Sequence, residues 1–294
     1  MSERMAASLE NLRRRAEIVR GIRRFFDDAG FTEVETPVRI AAPAPEEHID
    51  CPPVGTGGYL RASPELQMKK LLAEGLDCIY QIGPCFRDGE RGSRHNPEFT
   101  MIEWYRRSAT YRDIAADLEA LMAELQRYAL CSAVGRPRVL TVRDAYREFA
   151  GWDPWIDFDP DRFDFDMATK IEPALKRMGG GVFLTDYPPQ AASLAKVSTA
   201  ADGATYAERW EFYWNGMELA NCFTELCDGD EQTRRFERAK EARKALGEAD
   251  YPIDCEFLSV LPRVGSAAGV ALGVDRLVMV LLGAATITEV RAAE

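Results

Sequence analysis

The stretch FRDGERGSRHNPEFTMIEWY, residues 86–105, decides how this chain is read. It holds one of only two histidines and sets Arg87, Arg91, Arg94, Glu98 and Glu103 among aromatic residues. It reads as a strand end, a polar turn at 88–97 and a second strand, EFTMIEWYRR. Side chains on a strand alternate faces. Phe99, Met101, Glu103 and Tyr105 therefore share one face, and Thr100, Ile102, Trp104 and Arg106 the other. On pattern alone, Glu103 fits the margin of a half-buried sheet. A sharper reading starts from Arg87, which ends the strand DCIYQIGPCFR and is expected across the hairpin from Phe99 and Glu103. With Arg91, Arg94 and His95 in the turn it makes a cationic claw. Guanidinium planes bind phosphate through paired hydrogen bonds, and a ring such as Phe99 stacks on a purine or an arginine. A carboxylate beside the claw suits a ligand with both phosphate and a cation.

A second acidic group lies in ERWEFYWNGMELANCFTEL, residues 208–226. If Asn215-Gly216 is a two-residue turn, Tyr213 pairs with Glu218 and Glu211 with Ala220, so Glu211 and Glu218 point together. Two such carboxylates fit Mg²⁺ bridging to phosphate; an ordinary solvent-facing hairpin is the other reading. Parity changes between Glu218 and the pair Asn221 and Glu225, so a bulge is expected near 219–221. The third element is GVALGVDR, residues 269–276. Gly269 and Gly273 permit close backbone approach, and Arg276 opens a helix whose N-terminus attracts anions. Helix packing explains the glycine spacing equally well.

Around these segments, LENLRRRAEIVRGIRRFFDDAG carries Leu12, Ala16, Val19, Ile22 and Phe26 at helical spacing, with Gly30 to stop it. FTEVET alternates as a strand, and 37–58 reads as a loop. ASPELQMKKLLAEG is a helix with Ser63 as N-cap, Pro64 at its first position and Gly75 after its last turn. Thr110 and Asp113 suit a capping box for a helix over about 111–130. Two helices are expected in 141–180, strands at 182–187 and 205–226, helices at 229–246 and 255–261, then the strand AAGVAL and the helix VDRLVMVLLG. Strands bunched without strict βαβ alternation predict an α+β fold on an antiparallel sheet.

The 294 residues suffice for one large domain or two small ones. No apolar run approaches the ~18 residues that span a bilayer, and the charged N-terminus has no apolar leader segment. Seven cysteines without Cys-x-x-Cys spacing predict reduced thiols and a cytoplasmic protein. Having only His48 and His95 argues against a histidine-based metal site and leaves room for a hard cation held by carboxylates. The net charge of −11 argues against sequence-independent nucleic-acid binding.

Taken together, GFTEVETP (30–37), the stretch 86–105 and GVALGVDRL resemble the three signature motifs of class II aminoacyl-tRNA synthetases. ASPELQMKKLL, RHNPEFTM and ELANCFTEL resemble the lysyl-tRNA synthetases from about residue 10 to 290. The chain starts too close to motif 1 for the OB-fold domain that binds the anticodon, so a single catalytic domain over 1–294 is expected. That combination, with ERWEFYWNGMELANCFTEL, PIDCEFLSVLP and Ala271 where the synthetases have Gly, is similar to the elongation factor P–lysine ligase family.

The resemblance implies a class II catalytic core, ATP and Mg²⁺ as cofactors, lysine or (R)-β-lysine as substrate, elongation factor P as acceptor, and a homodimer through motif 1. It implies no membrane association and no tRNA. It gives Arg87 and Arg276 catalytic roles on the α-phosphate and outer phosphates. Arg94, His95, Asn96, Phe99 and Glu211 join them on ATP, with Phe99 under adenine. Glu211 and Glu218 would hold Mg²⁺. Glu65, Glu103, Tyr105, Asn221, Glu225 and Ala271 would surround the amino acid. One departure stands out: the family's Phe-Arg-x-Glu is here Phe-Arg-Asp-Gly, with Glu90 one step late to read adenine. The other readings are the same core with a tRNA-like acceptor, and a silent amino-acid-sensing regulator.

Overall fold

The computed structural model describes residues 3–55, 57–130 and 135–292, with side chains from residue 9 on; Cys131 lies outside them. Helix α1 (Glu3–Asp28) buries Ile18, Ile22 and Phe26, each four residues from the last, so they form one stripe. The stripe is turned from the expected one: Ala16 is exposed and Val19 flanks it. Gly30 follows with φ +79° and reverses the chain. Of FTEVET, only β1 (Thr32–Glu33) joins the sheet ladder. Val34 adds one bond to Tyr80, and the amide of Thr36 then goes to the Gln81 side chain rather than to backbone. The expected loop at 37–58 holds β2 (Arg39–Ile40), paired with β3 (Tyr59–Leu60) as a small ribbon.

Helix α2 (Glu65–Ala73) starts one residue later than expected, with Pro64 at the N-cap position; Ser63 Oγ still accepts from the Glu65 amide. Strands β4 (Cys78–Phe86) and β5 (Glu98–Arg107) form the predicted hairpin. Helix α3 (Tyr111–Leu125) has its capping box: the Asp113 carboxylate accepts from the Thr110 amide and hydroxyl. After β6 (Arg138–Thr141), two helical stretches cover 142–150 and 160–178. They contain α4 (Val142–Ala145), extended by a wide turn at 146–150, and α5 (Pro160–Asp166) and α6 (Glu172–Met178), joined by a wide turn at 167–171.

Strand β7 (Gly181–Tyr187) follows, then β8 (Val197–Thr199) and the hairpin of β9 (Thr205–Trp214) and β10 (Met217–Thr224). Helices α7 (Gly229–Leu246) and α8 (Cys255–Val260) precede β11 (Ala267–Gly273) and α9 (Val274–Leu282).

The main sheet runs β1-β4-β5-β11-β10-β9-β7-β6, with β8 on β9. Its β1–β4 and β6–β7 pairs are parallel and the rest antiparallel, so the fold is α+β. One face carries Ile102, Trp104, Trp210, Phe212, Val270 and Leu272 and is sealed by α1, α3 and α9. On the other, α2 and α8 cover one end around Leu72, Tyr105 and Phe257. The helices of 142–178 cover the other end around Tyr146, Phe163 and Tyr213. The middle of that face stays open. No helix among the described residues is long and apolar enough to cross a membrane.

Candidate active site

The open face holds a cavity of about 470 Å³. Its floor is a row of directly paired residues across four strands. Glu103 of β5 faces Ala271 of β11, Ala271 faces Asn221 of β10, and Asn221 faces Glu211 of β9. Neighbours in such a row project to one face, so four expected site residues reach the cavity by register alone. Glu103 is therefore no margin residue: it is 1% exposed in the middle of the sheet. Gly269 is required here, because a Cβ on it would lie 2.1 Å from the Tyr105 ring; at Gly273 an added Cβ meets only Arg276 side-chain atoms, near 4 Å.

Glu218 joins the row through the expected bulge. Glu218 pairs with Tyr213 and Ala220 with Phe212, so Leu219 is the extra residue and Glu211 faces Asn221 rather than Ala220. Glu218, Asn221 and Glu211 thus all line the cavity. Glu211 is firmly held. Its Oε1 accepts from Arg209 Nη2 at 2.6 Å and its Oε2 from the Tyr213 hydroxyl at 2.6 Å. Burial, then the charge of Glu211, raise the pKa of Glu218 above the ordinary carboxylate value. Two hard oxygen donors that repel each other suit Mg²⁺. Among the described residues no group of three or more His, Cys, Asp or Glu could hold a metal ion, so Mg²⁺ on these two carboxylates would need phosphate or water to complete its shell.

The cationic end is built by the 86–99 hairpin and the start of α9. Arg87 lies across from Pro97, its amide bonded to the Pro97 carbonyl, and not across from Glu103. Its guanidinium sits over the Phe99 ring, 5.3 Å from the centroid, and its buried Nε has no hydrogen-bond partner among the described residues. Arg94, His95 and Asn96 line the cavity; Arg91 does not and is exposed. Asn96 is tied back, its Nδ2 donating to the Glu98 carbonyl. Arg276 donates to His95 Nε2 and, at 3.0 Å, to the Glu218 carbonyl, with the Glu218 carboxylate 3.5 Å away. Burial and the Arg276 charge lower the pKa of His95, so the ring is neutral and accepts. Gly89 takes φ +75°, a conformation that favours glycine, and turns Glu90 into the cavity wall 3.6 Å from Arg87.

The acidic end gathers Ser63, Glu65, Glu103 and Tyr105. Ser63 Oγ donates to Glu103 Oε1 at 2.6 Å, and the Tyr105 hydroxyl to Glu103 Oε2 at 2.8 Å. Burial, then Glu65, push the Glu103 pKa up to about 7. Glu225 is 3% exposed and stands behind the cavity wall rather than in it. Burial pushes its pKa up to about 8, and its Oε1 has no hydrogen-bond partner. Between Glu65 and Glu225 lies the Lys69 ammonium, 2.5 Å from each.

Sequence reasoning missed Ser63 as a cavity residue, and also Lys69, Arg209 and Glu46. Arg209 had a signal, since it shares strand parity with Glu211. Lys69 follows Glu65 at i+4, which ordinarily marks an exposed pair. Glu46 sits on the 41–58 loop, where no periodicity exists to read.

A sequence model of the tRNA synthetases class II (D, K and N) family matches residues 1–292. The chain is similar to the elongation factor P–(R)-beta-lysine ligase of Proteus mirabilis (strain HI4320), at 37% identity, covering 97% of this chain and 95% of the relative. It is also similar to the enzyme of that name from Yersinia enterocolitica, at 37% over 97% and 95%. The Mannheimia succiniciproducens enzyme of the same name follows at 36%, over 98% and 95%. The chain therefore belongs to the class II tRNA synthetase family, alongside the elongation factor P–(R)-beta-lysine ligases.

Proposed function

We propose that this protein uses ATP to activate (R)-β-lysine or lysine as an aminoacyl-adenylate and transfers it to a lysine side chain of elongation factor P. The observation that supports this best is a single cavity with guanidinium groups at one end and buried carboxylates at the other. A diamino acid needs acids for its ammonium groups and a cation for its carboxylate; ATP needs the rest of the cations.

In this reading Arg87 holds the substrate carboxylate against the α-phosphate, using the Nε that has no hydrogen-bond partner among the described residues. The carboxylate oxygen attacks the α-phosphorus and pyrophosphate leaves. Arg94, His95 and Arg276 hold the outer phosphates, with the neutral His95 donating from its other ring nitrogen, and Phe99 and Asn96 flank the nucleotide. Glu211 and Glu218 would hold Mg²⁺, which neutralises phosphate charge when bound. Glu65, Glu103, Tyr105 and Asn221, with Glu225 behind them, take the amino groups, and Ala271 is the floor between Glu103 and Asn221. The acceptor amine then attacks the carbonyl carbon, AMP leaves, and the amine loses a proton. No covalent protein intermediate is needed. Rate comes from positioning and preorganised charge. A homodimer through the motif 1 segment and a cytoplasmic location belong to the same reading.

The test is intact-mass analysis of elongation factor P incubated with this protein, ATP and each lysine isomer. A gain of one lysyl unit is expected. Unmodified factor alongside lysine-charged tRNA would move the reading to a tRNA-like acceptor. Absence of any lysine-dependent ATP–pyrophosphate exchange would favour a silent regulator.

A further inference from the structure

Lys69 has no place in the roles above. Its side chain is 1% exposed, yet Leu66, Met68 and Leu72 are buried on the same helix, so an apolar residue would suit its surroundings. Burial alone would strip its proton, but Glu225 and Glu65 outweigh burial and raise its pKa. An ion pair at that depth gives the fold little, because desolvation offsets the attraction. The reason for a lysine here lies in the cavity.

We propose that Lys69 is a positioning residue that sets the charge of the acidic end for a guest with two amino groups. Its ammonium fixes one oxygen of Glu65 and one of Glu225. Glu65, Glu103 and Glu225 carry three negative charges when ionised; Lys69 cancels one and leaves two, the number that two ammonium groups answer. The other groups facing this end leave the count intact. Ser63 and Tyr105 are neutral donors to Glu103. Glu46, on the facing loop, is pushed toward its neutral form by burial and then by Glu65, which Arg87 and Arg209 oppose without reversing. The inference rests on a lysine isomer being the substrate, and it adds the residue that makes two charges the matching number.

Without Lys69 nothing opposes the charge of Glu65 at this end, and Glu103 and Glu225 keep their protons to higher pH. A protonated carboxyl group makes a poor partner for an ammonium. The test follows ATP–pyrophosphate exchange with lysine and (R)-β-lysine from about pH 6 to about pH 9. In the wild type, KM for the diamino acid falls as Glu103 and Glu225 ionise, near 7 and 8. In Lys69→Met that fall is expected about one pH unit or more higher, with KM for ATP changed less than about two-fold. An unmoved fall, or a pH-independent loss shared with ATP, overturns the proposal.

Lys69→Met strands two buried carboxylates, so the pair is also removed together. Lys69→Met/Glu225→Gln is compared with Glu225→Gln, and the fall is again expected at higher pH where Lys69 is absent. Equal profiles overturn the proposal. If the wild type shows no exchange with any diamino acid, the functional reading and this inference fall together; exchange with unmoved profiles sinks the inference alone.

Discussion

Asn221 stands directly opposite Glu211 across the β9–β10 ladder, one step from where an unbulged hairpin would place it. That step carries the amide of the amino-acid row and the acid of the proposed metal pair on one face. It follows that Glu211→Gln and Glu218→Gln act differently. Glu211→Gln keeps one oxygen to accept from Arg209 and turns its amide N–H to the Tyr213 hydroxyl, which can accept it, so its fold should hold while its Mg²⁺ requirement rises. Glu218→Gln also weakens the grip on Arg276 and should lose more exchange activity. A Mg²⁺ titration of exchange in both variants checks the order; equal losses would contradict it.

Arg87→Ala is expected to lower the exchange rate by a factor corresponding to about 3–4 kcal/mol, as for loss of one preorganised charge donor. Arg91→Ala should leave it unchanged, because Arg91 is exposed outside the cavity. Similar exchange rates for the two variants would place the catalytic arginine elsewhere.

The buried carboxyl groups make stability depend on pH. Glu103 and Glu225 titrate near 7 and 8 folded, against 4.5 as the unperturbed value. Between these limits the folded protein binds more protons than the unfolded chain, so stability falls as pH rises. The ligand-free Tm should therefore decline from about pH 5 to about pH 8. Saturating lysine should raise Tm most at the alkaline end, where the acids are ionised and unanswered. A flat Tm over that range would refute the burial argument.

Gly269→Ala drives a Cβ to 2.1 Å from the Tyr105 ring. Overpacking of this kind costs about 1–3 kcal/mol. The displaced ring carries the hydroxyl that donates to Glu103, so KM for the diamino acid should rise together with the loss in Tm. Gly273→Ala has room and serves as the control; an equal Tm loss there would show that backbone effects dominate.

Much of this was legible in the chain because strand parity is a strict rule. Parity put Phe99, Glu103 and Tyr105 on one face, and the switch between Glu218 and Asn221 demanded a bulge. The Asn-Gly turn fixed the hairpin that carries both. Where the rule stops, the reading failed. The Arg87 partner depended on how the 88–97 turn closes, through backbone bonds such as those between Gly92 and His95 and from Asp88 to Asp50 that no periodicity announces. Lys69 went unread because its burial and its second partner, Glu225, lie with segments far along the chain. The Ala16 error on α1 arose because two stripes of nearly equal apolarity compete, and packing against Tyr80 and Trp104 selects the one through Ile18.

The stack of Arg87 on Phe99 carries one more consequence. A flat ring offers the same face to every nucleobase, so in the nucleotide-binding role proposed for it Phe99 would tell adenine from guanine poorly. Discrimination has to come from the base edge. With no side chain at Gly89, it falls to Glu90 and to main-chain groups, and GTP should be a measurable competitor of ATP.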